Sequence, residues 1–225
     1  MPGGNLTPGV VRVGDTVRRP AAPFAARVLR HLAHRGFDGS PRFLGTDGRG
    51  RDVLSYLPGE TRPKWQRYAD HQVRAAAVLL HRLHDATRDL AVRLGGEVIC
   101  HHDPGPHNAI FVGGVPVAFV DFDQAAPGDP VEDVAYLAWS WCVSSRGDRL
   151  PAEEQAQQVR VVADGYSLAE PERLLEALRR RLASNEEVWR ARPDHRRCAE
   201  FRAWTARESA FVDLHRGIFA AALDR

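Results

Sequence analysis

The periodicity of this 225-residue chain changes at the dipeptide Pro58-Gly59, and that change limits the folds open to it. Before the dipeptide, short β-prone runs alternate with turn residues. After it, apolar residues recur mostly at helical spacing. Residues 10–13 and 16–19 read as a hairpin closed by Gly14-Asp15, a dipeptide suited to a tight turn although reversed from the favoured Asp-Gly order. Phe24, Val28, Leu29 and Leu32 give residues 24–35 one apolar helical face, and Gly36 supplies the stop. A second hairpin is expected from Phe43-Leu44 and residues 53–57, around the turn-rich segment 46–50.

Beyond the break, the spacing of Trp65, Tyr68, Ala69, Val73, Ala76, Leu80 and Leu83 predicts one long helix from residue 65 to about residue 90. Three apolar runs follow at 98–100, 109–112 and 115–120, the last two joined as a hairpin by Gly113-Gly114. Past Gly128-Asp129-Pro130 the chain reads as helices over 131–143, 152–166, 171–189 and 195–223. The expectation is an α+β chain of two lobes: residues 1–57, β-rich, and residues 58–225, mainly helical.

Hydrophobic residues make up 44% of the chain and charged residues 27%, an ordinary globular balance with enough apolar content for a sizeable core. The net charge is only +2, and the 31 basic residues are interleaved with 29 acidic ones, which argues against a nucleic-acid surface. No apolar run reaches the ~18 residues of a membrane span, and the start lacks the basic and apolar regions of a secretory leader. Cys100, Cys142 and Cys198 are widely spaced and form no C-x-x-C pattern, which fits a reduced, cytoplasmic protein. Lys64 is the only lysine.

The chemistry concentrates in two short segments. His101-His102-Asp103-Pro104-Gly105-Pro106-His107-Asn108 follows one apolar run, and Asp121-Phe122-Asp123 follows the hairpin. Phosphoryl transfer needs an oriented hydroxyl and a magnesium ion held against the β- and γ-phosphates. A carboxylate base (Asp103), an amide ligand five residues on (Asn108) and a second carboxylate across a hairpin (Asp121) supply those parts. His102 and His107 have no third partner at metal-ligand spacing. Asp133 is placed to act as a helix N-terminal carboxylate.

These segments resemble the signature of the aminoglycoside phosphotransferase and choline-kinase-like family, relatives of protein kinases. That signature is H-x-D-x-x-x-x-N followed by an apolar strand and I-D-(W/F)-(E/D). His101, Asp103 and Asn108 match its first part, Asp121, Phe122 and Asp123 its second, and Gly128-Asp129-Pro130 with Asp133-Val134-Ala135 is similar to the family's G-D-P-x-x-D-(L/V)-A helix start. The resemblance implies a protein-kinase-like bilobal fold that binds ATP or GTP with Mg²⁺ and transfers the γ-phosphoryl group to a hydroxyl of a small molecule, an antibiotic being the leading class. It also implies that His101 braces the catalytic loop, that Asp133 supports it, and that Asp123 is a second metal or substrate contact if it is not merely exposed.

In the amino-terminal lobe the resemblance puts Gly3 and Gly4 in a phosphate-covering loop. It gives the strand bearing Arg18 and Arg19 the place of one that usually carries an ATP-binding lysine. Strand alternation turns only one of these arginines to the cleft, and Arg19 is favoured. The glutamate that normally pairs with that cation is missing, because residues 24–35 contain no acidic side chain. Backbone groups near Ser55 and Leu57 are expected to grip adenine. Two other readings stay open: a metabolic kinase of an amino alcohol, sugar or homoserine-like substrate, and a kinase-fold binding or immunity protein without catalysis. The joint presence of Asp103, Asn108 and Asp121 favours an enzyme. A small-molecule substrate is expected, with no nucleic acid, membrane or obligatory protein partner.

Overall fold

The computed structural model describes residues 9–64, 66–191 and 197–224. Strands β1 (Val11–Val13) and β2 (Thr16–Arg19) form the expected hairpin, with Val13 opposite Thr16 and Gly14 at φ 58° in the turn. Strand β3 (Phe43–Thr46) pairs with β4 (Asp52–Ser55), and β4 also pairs with β2, giving an antiparallel sheet of order β1-β2-β4-β3. Helix α1 (Pro23–His34) crosses between the hairpins and buries Ala25, Ala26, Val28, Leu29 and Leu32. Its first residue is a proline, whose fixed φ suits a helix start. The Ala22 N–H ahead of it donates to Asp52 Oδ2 on β4 at 2.9 Å, so the sheet itself caps the helix.

The remaining chain is mainly helical. Helix α2 (Asp70–Val92) leads to β5 (Val98–Cys100), then to the hairpin of β6 (Ala109–Val112) and β7 (Val115–Phe119). Strand β8 (Ala126–Gly128) precedes α3 (Pro130–Cys142), α4 (Ala152–Tyr166), α5 (Arg173–Arg190), α6 (Cys198–Leu214) and α7 (Arg216–Leu223). Helix α3 is buried on nearly all sides, as its apolar composition dictates, and packs against α2, α4 and α5. Trp141, Phe111, Phe119, Leu80, Leu83 and Leu137 are fully buried in the shared core.

Three local expectations are corrected. The long helix begins at Asp70, not at residue 65, and Trp65 lies outside the described residues. Tyr68 fits the helical spacing but is buried from an extended segment, its hydroxyl donating to the Pro63 carbonyl at 2.6 Å, while Gln72 caps the Ala69 N–H at 3.0 Å. The stretch expected as one helix over 195–223 is two, α6 and α7, breaking at His215, because α6 packs on α5 whereas α7 turns to pack on α4. Residue 195 lies outside the described residues. Strand β8 was not foreseen: Ala-Pro-Gly has little β preference, and only pairing with β5 makes it a strand.

The crossing from sheet to helices is pinned. Glu60 and Phe111 exchange both backbone hydrogen bonds, at 3.1 and 2.8 Å, so the segment after Pro58-Gly59 is stitched to β6. Among the described residues no helix is long and apolar enough to cross a membrane, and all three cysteines are buried and free.

Candidate functional site

The site is built outward from the start of α3. Asp129 is its N-cap, accepting the Val131 N–H at 2.9 Å, and Pro130 occupies the first helical position. Gly128 is small because a Cβ there would stand 3.0 Å from Cys100 Sγ on the paired strand. This start places Asp133 one turn into the helix with no exposed surface. Its carboxylate accepts the backbone N–H of His101 (2.5 Å) and of His102 (2.7 Å), and contacts His84 Nε2 at 3.0 Å. Burial would raise the Asp133 carboxyl, but the His84 hydrogen bond and the neighbouring histidines hold it below the usual range. His84 is anchored in turn by the Tyr166 hydroxyl at 2.7 Å.

Asp133 therefore fixes the turn into the catalytic loop, where His102 is left-handed at φ 62°. His101 is fully buried between Phe119 and Phe122. Its Nε2 bonds the Val120 carbonyl at 3.0 Å and its Nδ1 accepts the Asp103 N–H at 3.3 Å. With both nitrogens engaged in the scaffold, it braces the loop and faces no open space.

Asp103 sits under three donors. Tyr136 of α3 donates to Oδ1, Lys64 Nζ stands 3.6 Å from the same oxygen, and His107 Nε2 donates to Oδ2 at 3.2 Å. Burial alone would raise the carboxyl, but the His107 bond, the Lys64 charge and the Tyr136 bond outweigh it and keep Asp103 ionised. His107 is itself pushed down by burial, so it donates as a neutral imidazole. Gly105 makes room for that ring, since a Cβ there would lie 2.6 Å from it. Asn108 Nδ2 donates to the Asp103 carbonyl at 3.0 Å, and the Asn108 carbonyl accepts the Val120 N–H at 2.8 Å. Asn108 thus ties the Asp103 loop through its side-chain amide and the strand leading to Asp121 through its backbone carbonyl, with its Oδ1 as the remaining acceptor.

Asp121 is also left-handed, at φ 66°, a conformation Asp and His tolerate better than most residues, at a cost of about 1–3 kcal/mol. Arg19 reaches across from β2, Nη1 lying 3.4 Å from Asp121 Oδ1 and Nη2 bonding Asp123. Burial and the neighbouring Asp123 charge push the Asp121 carboxyl up, and Arg19 offsets only part of this. With no acidic side chain in residues 24–35, the cation of β2 pairs with the aspartates after β7. Arg18 points the other way, to Thr16 Oγ1 at 2.6 Å and Asp47 at 3.8 Å. Arg19, Asp52, Leu29, Leu54 and Asp121 line a small cleft between the sheet, α1 and the Asp121 loop.

Ser55 has its N–H bonded to the Arg42 carbonyl at 2.9 Å and its Oγ accepting the Arg42 N–H at 2.8 Å, while Leu57 is half-buried. Gly3 and Gly4 lie outside the described residues. Lys64 and Tyr136 were not singled out as site residues by the sequence. Tyr136 falls one helical turn after Asp133, which was a usable signal. Lys64 comes from the loop before α2 and had no local signal. His84, Cys100 and Asp133 bring ligand atoms within 4.8 Å of one another, but the Asp133 oxygens and both His84 nitrogens are already hydrogen-bonded.

The profile of the phosphotransferase enzyme family (APH) matches residues 62–177 of this chain. The chain is 34% identical over 198 residues to the trifolitoxin immunity protein of Rhizobium leguminosarum bv. trifolii, covering 76% of this chain and 74% of that protein. Its structure is similar to that of a choline kinase from Cryptosporidium parvum (10% identity, 93% of this chain and 86% of that one, TM-score 0.61). It is also similar to APH(2″)-IIa in its gentamicin complex (13%, 87% and 84%, 0.54) and to a choline/ethanolamine kinase family protein from Mesorhizobium loti (17%, 98% and 90%, 0.52). At these identities the structural likenesses establish the kinase-like fold.

Proposed function

Since the chain belongs to the phosphotransferase enzyme family, we propose that it transfers the γ-phosphoryl group of ATP or GTP to a hydroxyl of an antibiotic-like small molecule, with Asp103 as base. The observation that carries this reading is the Asp103 carboxylate, ionised, presented from a loop that Asp133, His101 and Asn108 hold from three sides. The acceptor hydroxyl binds Asp103, its oxygen bonds to the γ-phosphorus as the bond to the β-phosphate oxygen breaks, and its proton passes to Asp103. A strongly acidic Asp103 is a weak base, which suits a loose transition state in which orientation matters more than early proton removal.

The donor set fits magnesium. Asp121 and Asp123 are two adjacent carboxylates whose repulsion Arg19 only partly offsets, and Asn108 offers a neutral oxygen on the same scaffold. Asn108 and Asp121 would hold the ion, which supplies charge neutralisation at the β- and γ-phosphates. Arg19 would serve the nucleotide phosphates, and Asp123 either the metal or the polyphosphate. The relative named a trifolitoxin immunity protein supports a role in protection against a toxic small molecule, and it fits the rival reading of a kinase-fold immunity protein without transfer equally well.

Asp103→Asn keeps the shape and removes the charge, so turnover should drop by roughly 10²–10⁴-fold. Thermal stabilisation by Mg·ATP should stay at the wild-type level, because the phosphate and metal contacts lie on other residues. Protection of cells by Asp103→Asn equal to wild type would instead show a binding protein that needs no transfer.

A further inference from the structure

Thirty-one basic residues are spread through this chain, and Lys64 is the one lysine. It stands in the centre of the acceptor side of the site. Its Nζ donates to the Tyr136 hydroxyl at 2.7 Å and lies 3.6 Å from Asp103 Oδ1, the oxygen that Tyr136 also serves. Arg181 stands beside the same ring, its guanidinium 4.5 Å from the Tyr136 ring centre and bonding the His102 carbonyl at 2.9 Å. A second planar guanidinium in the place of Lys64 would have to share that ring. A compact ammonium fits there, and with three donors it keeps one beyond Tyr136 and Asp103.

We propose that Lys64 is a catalytic residue, hydrogen-bonding the phosphoryl group as it passes from the nucleotide to the acceptor oxygen held by Asp103. The inference rests on Asp103 being the base. A hydroxyl on Asp103 sits about 3 Å from the carboxylate. An ammonium 3.6 Å from that carboxylate oxygen is at most about 6.6 Å from an acceptor oxygen bound there, on the side of Asp103 to which the phosphoryl group would come. The Lys64 side chain is 28% exposed, so it is open to an incoming group. No proton leaves Lys64 in the step: the acceptor proton goes to Asp103, the broken bond's electron pair stays on the nucleoside diphosphate, and Lys64 donates hydrogen bonds throughout. The amino-terminal cation, Arg19, is committed to Asp121 and Asp123 on the metal side, and of the cations near Tyr136 it is Lys64 that stands against the Asp103 carboxylate, Arg181 bonding the His102 carbonyl.

The test uses the whole protein and needs no acceptor. Affinity is measured calorimetrically for Mg·ADP and for Mg·ADP with aluminium fluoride, a mimic of the phosphoryl group in transit, which should bind wild type at least tenfold more tightly, a conservative ~10-fold tightening. Lys64→Met and Lys64→Gln, the second keeping an uncharged donor for Tyr136 on a side chain one bond shorter, should bind Mg·ADP as wild type does. Each should lose about tenfold to a hundredfold of the aluminium fluoride affinity, the worth of one charged hydrogen bond. Wild-type aluminium fluoride affinity in both variants would overturn the proposal, as would a parallel loss for Mg·ADP, which would mark Lys64 as a structural counter-charge. If wild type itself gains nothing from aluminium fluoride, the transfer reading falls together with this one; a gain unaffected by Lys64 sinks this one alone.

Discussion

At the scale of single residues, the site hangs on a carboxylate with no exposed surface. Asp133 spends its carboxylate on two consecutive backbone N–H groups of the catalytic loop and on His84, all without solvent. Asp133→Ala strands these donors in the core and should destabilise the fold by about 3–5 kcal/mol, read from urea denaturation. Because its folded pKa is depressed, Asp133 contributes stability that is fully present above the ordinary Asp value near 3.9 and is lost as pH falls through the folded value. Its share of acid sensitivity therefore lies below about pH 4, and Asp133→Asn should flatten stability against pH in that window. Equal acid slopes in Asp133→Asn and wild type would remove this role. Asp103, Asn108 and Asp121 were legible in the sequence because their spacing is local and each lies on a loop after a short apolar strand. Lys64 was not, because 39 residues separate it from Asp103 and only the fold brings them together.

At the scale of elements, the turn at Pro58-Gly59 joins the sheet to the helices. Gly59 has φ 139°, and a Cβ there would meet Ile110 Cγ2 and the Phe111 carbonyl oxygen at 2.6 Å. The backbone oxygen cannot move aside, because the Glu60–Phe111 bridge holds it. Gly59→Ala should cost on the order of 2–4 kcal/mol from strain and overlap together. Gly48→Ala, in open space at an ordinary φ, is the control and should be nearly neutral in the same denaturation series. Elements with repeated local signals, such as both amino-terminal hairpins and α4, were readable from pattern alone. Strand β8 and the break between α6 and α7 were not, since each exists only through what it packs against.

At the scale of the whole molecule, Arg19 is a charged link between the sheet and the loop of Asp121 and Asp123. In the nucleotide complex that guanidinium would serve phosphate, and the two aspartates it leaves would pass to the metal. Arg19→Ala should weaken Mg·ATP binding roughly tenfold to a hundredfold, seen as a thermal-stabilisation curve displaced to higher nucleotide concentration. Unchanged nucleotide affinity would show that the sheet supplies no phosphate contact through this residue.

Lys64 also has a consequence outside the reaction. A chain with a single lysine has a single side-chain amine, and here burial draws that amine's pKa down, against the pull of Asp103. Acylating reagents, cellular acetyl donors and isopeptide-forming tags thus share one side-chain address, beside the carboxylate on which transfer is proposed to depend. On most proteins an amine label reports on the surface at large; on this one, side-chain labelling reports on the surroundings of Asp103 alone.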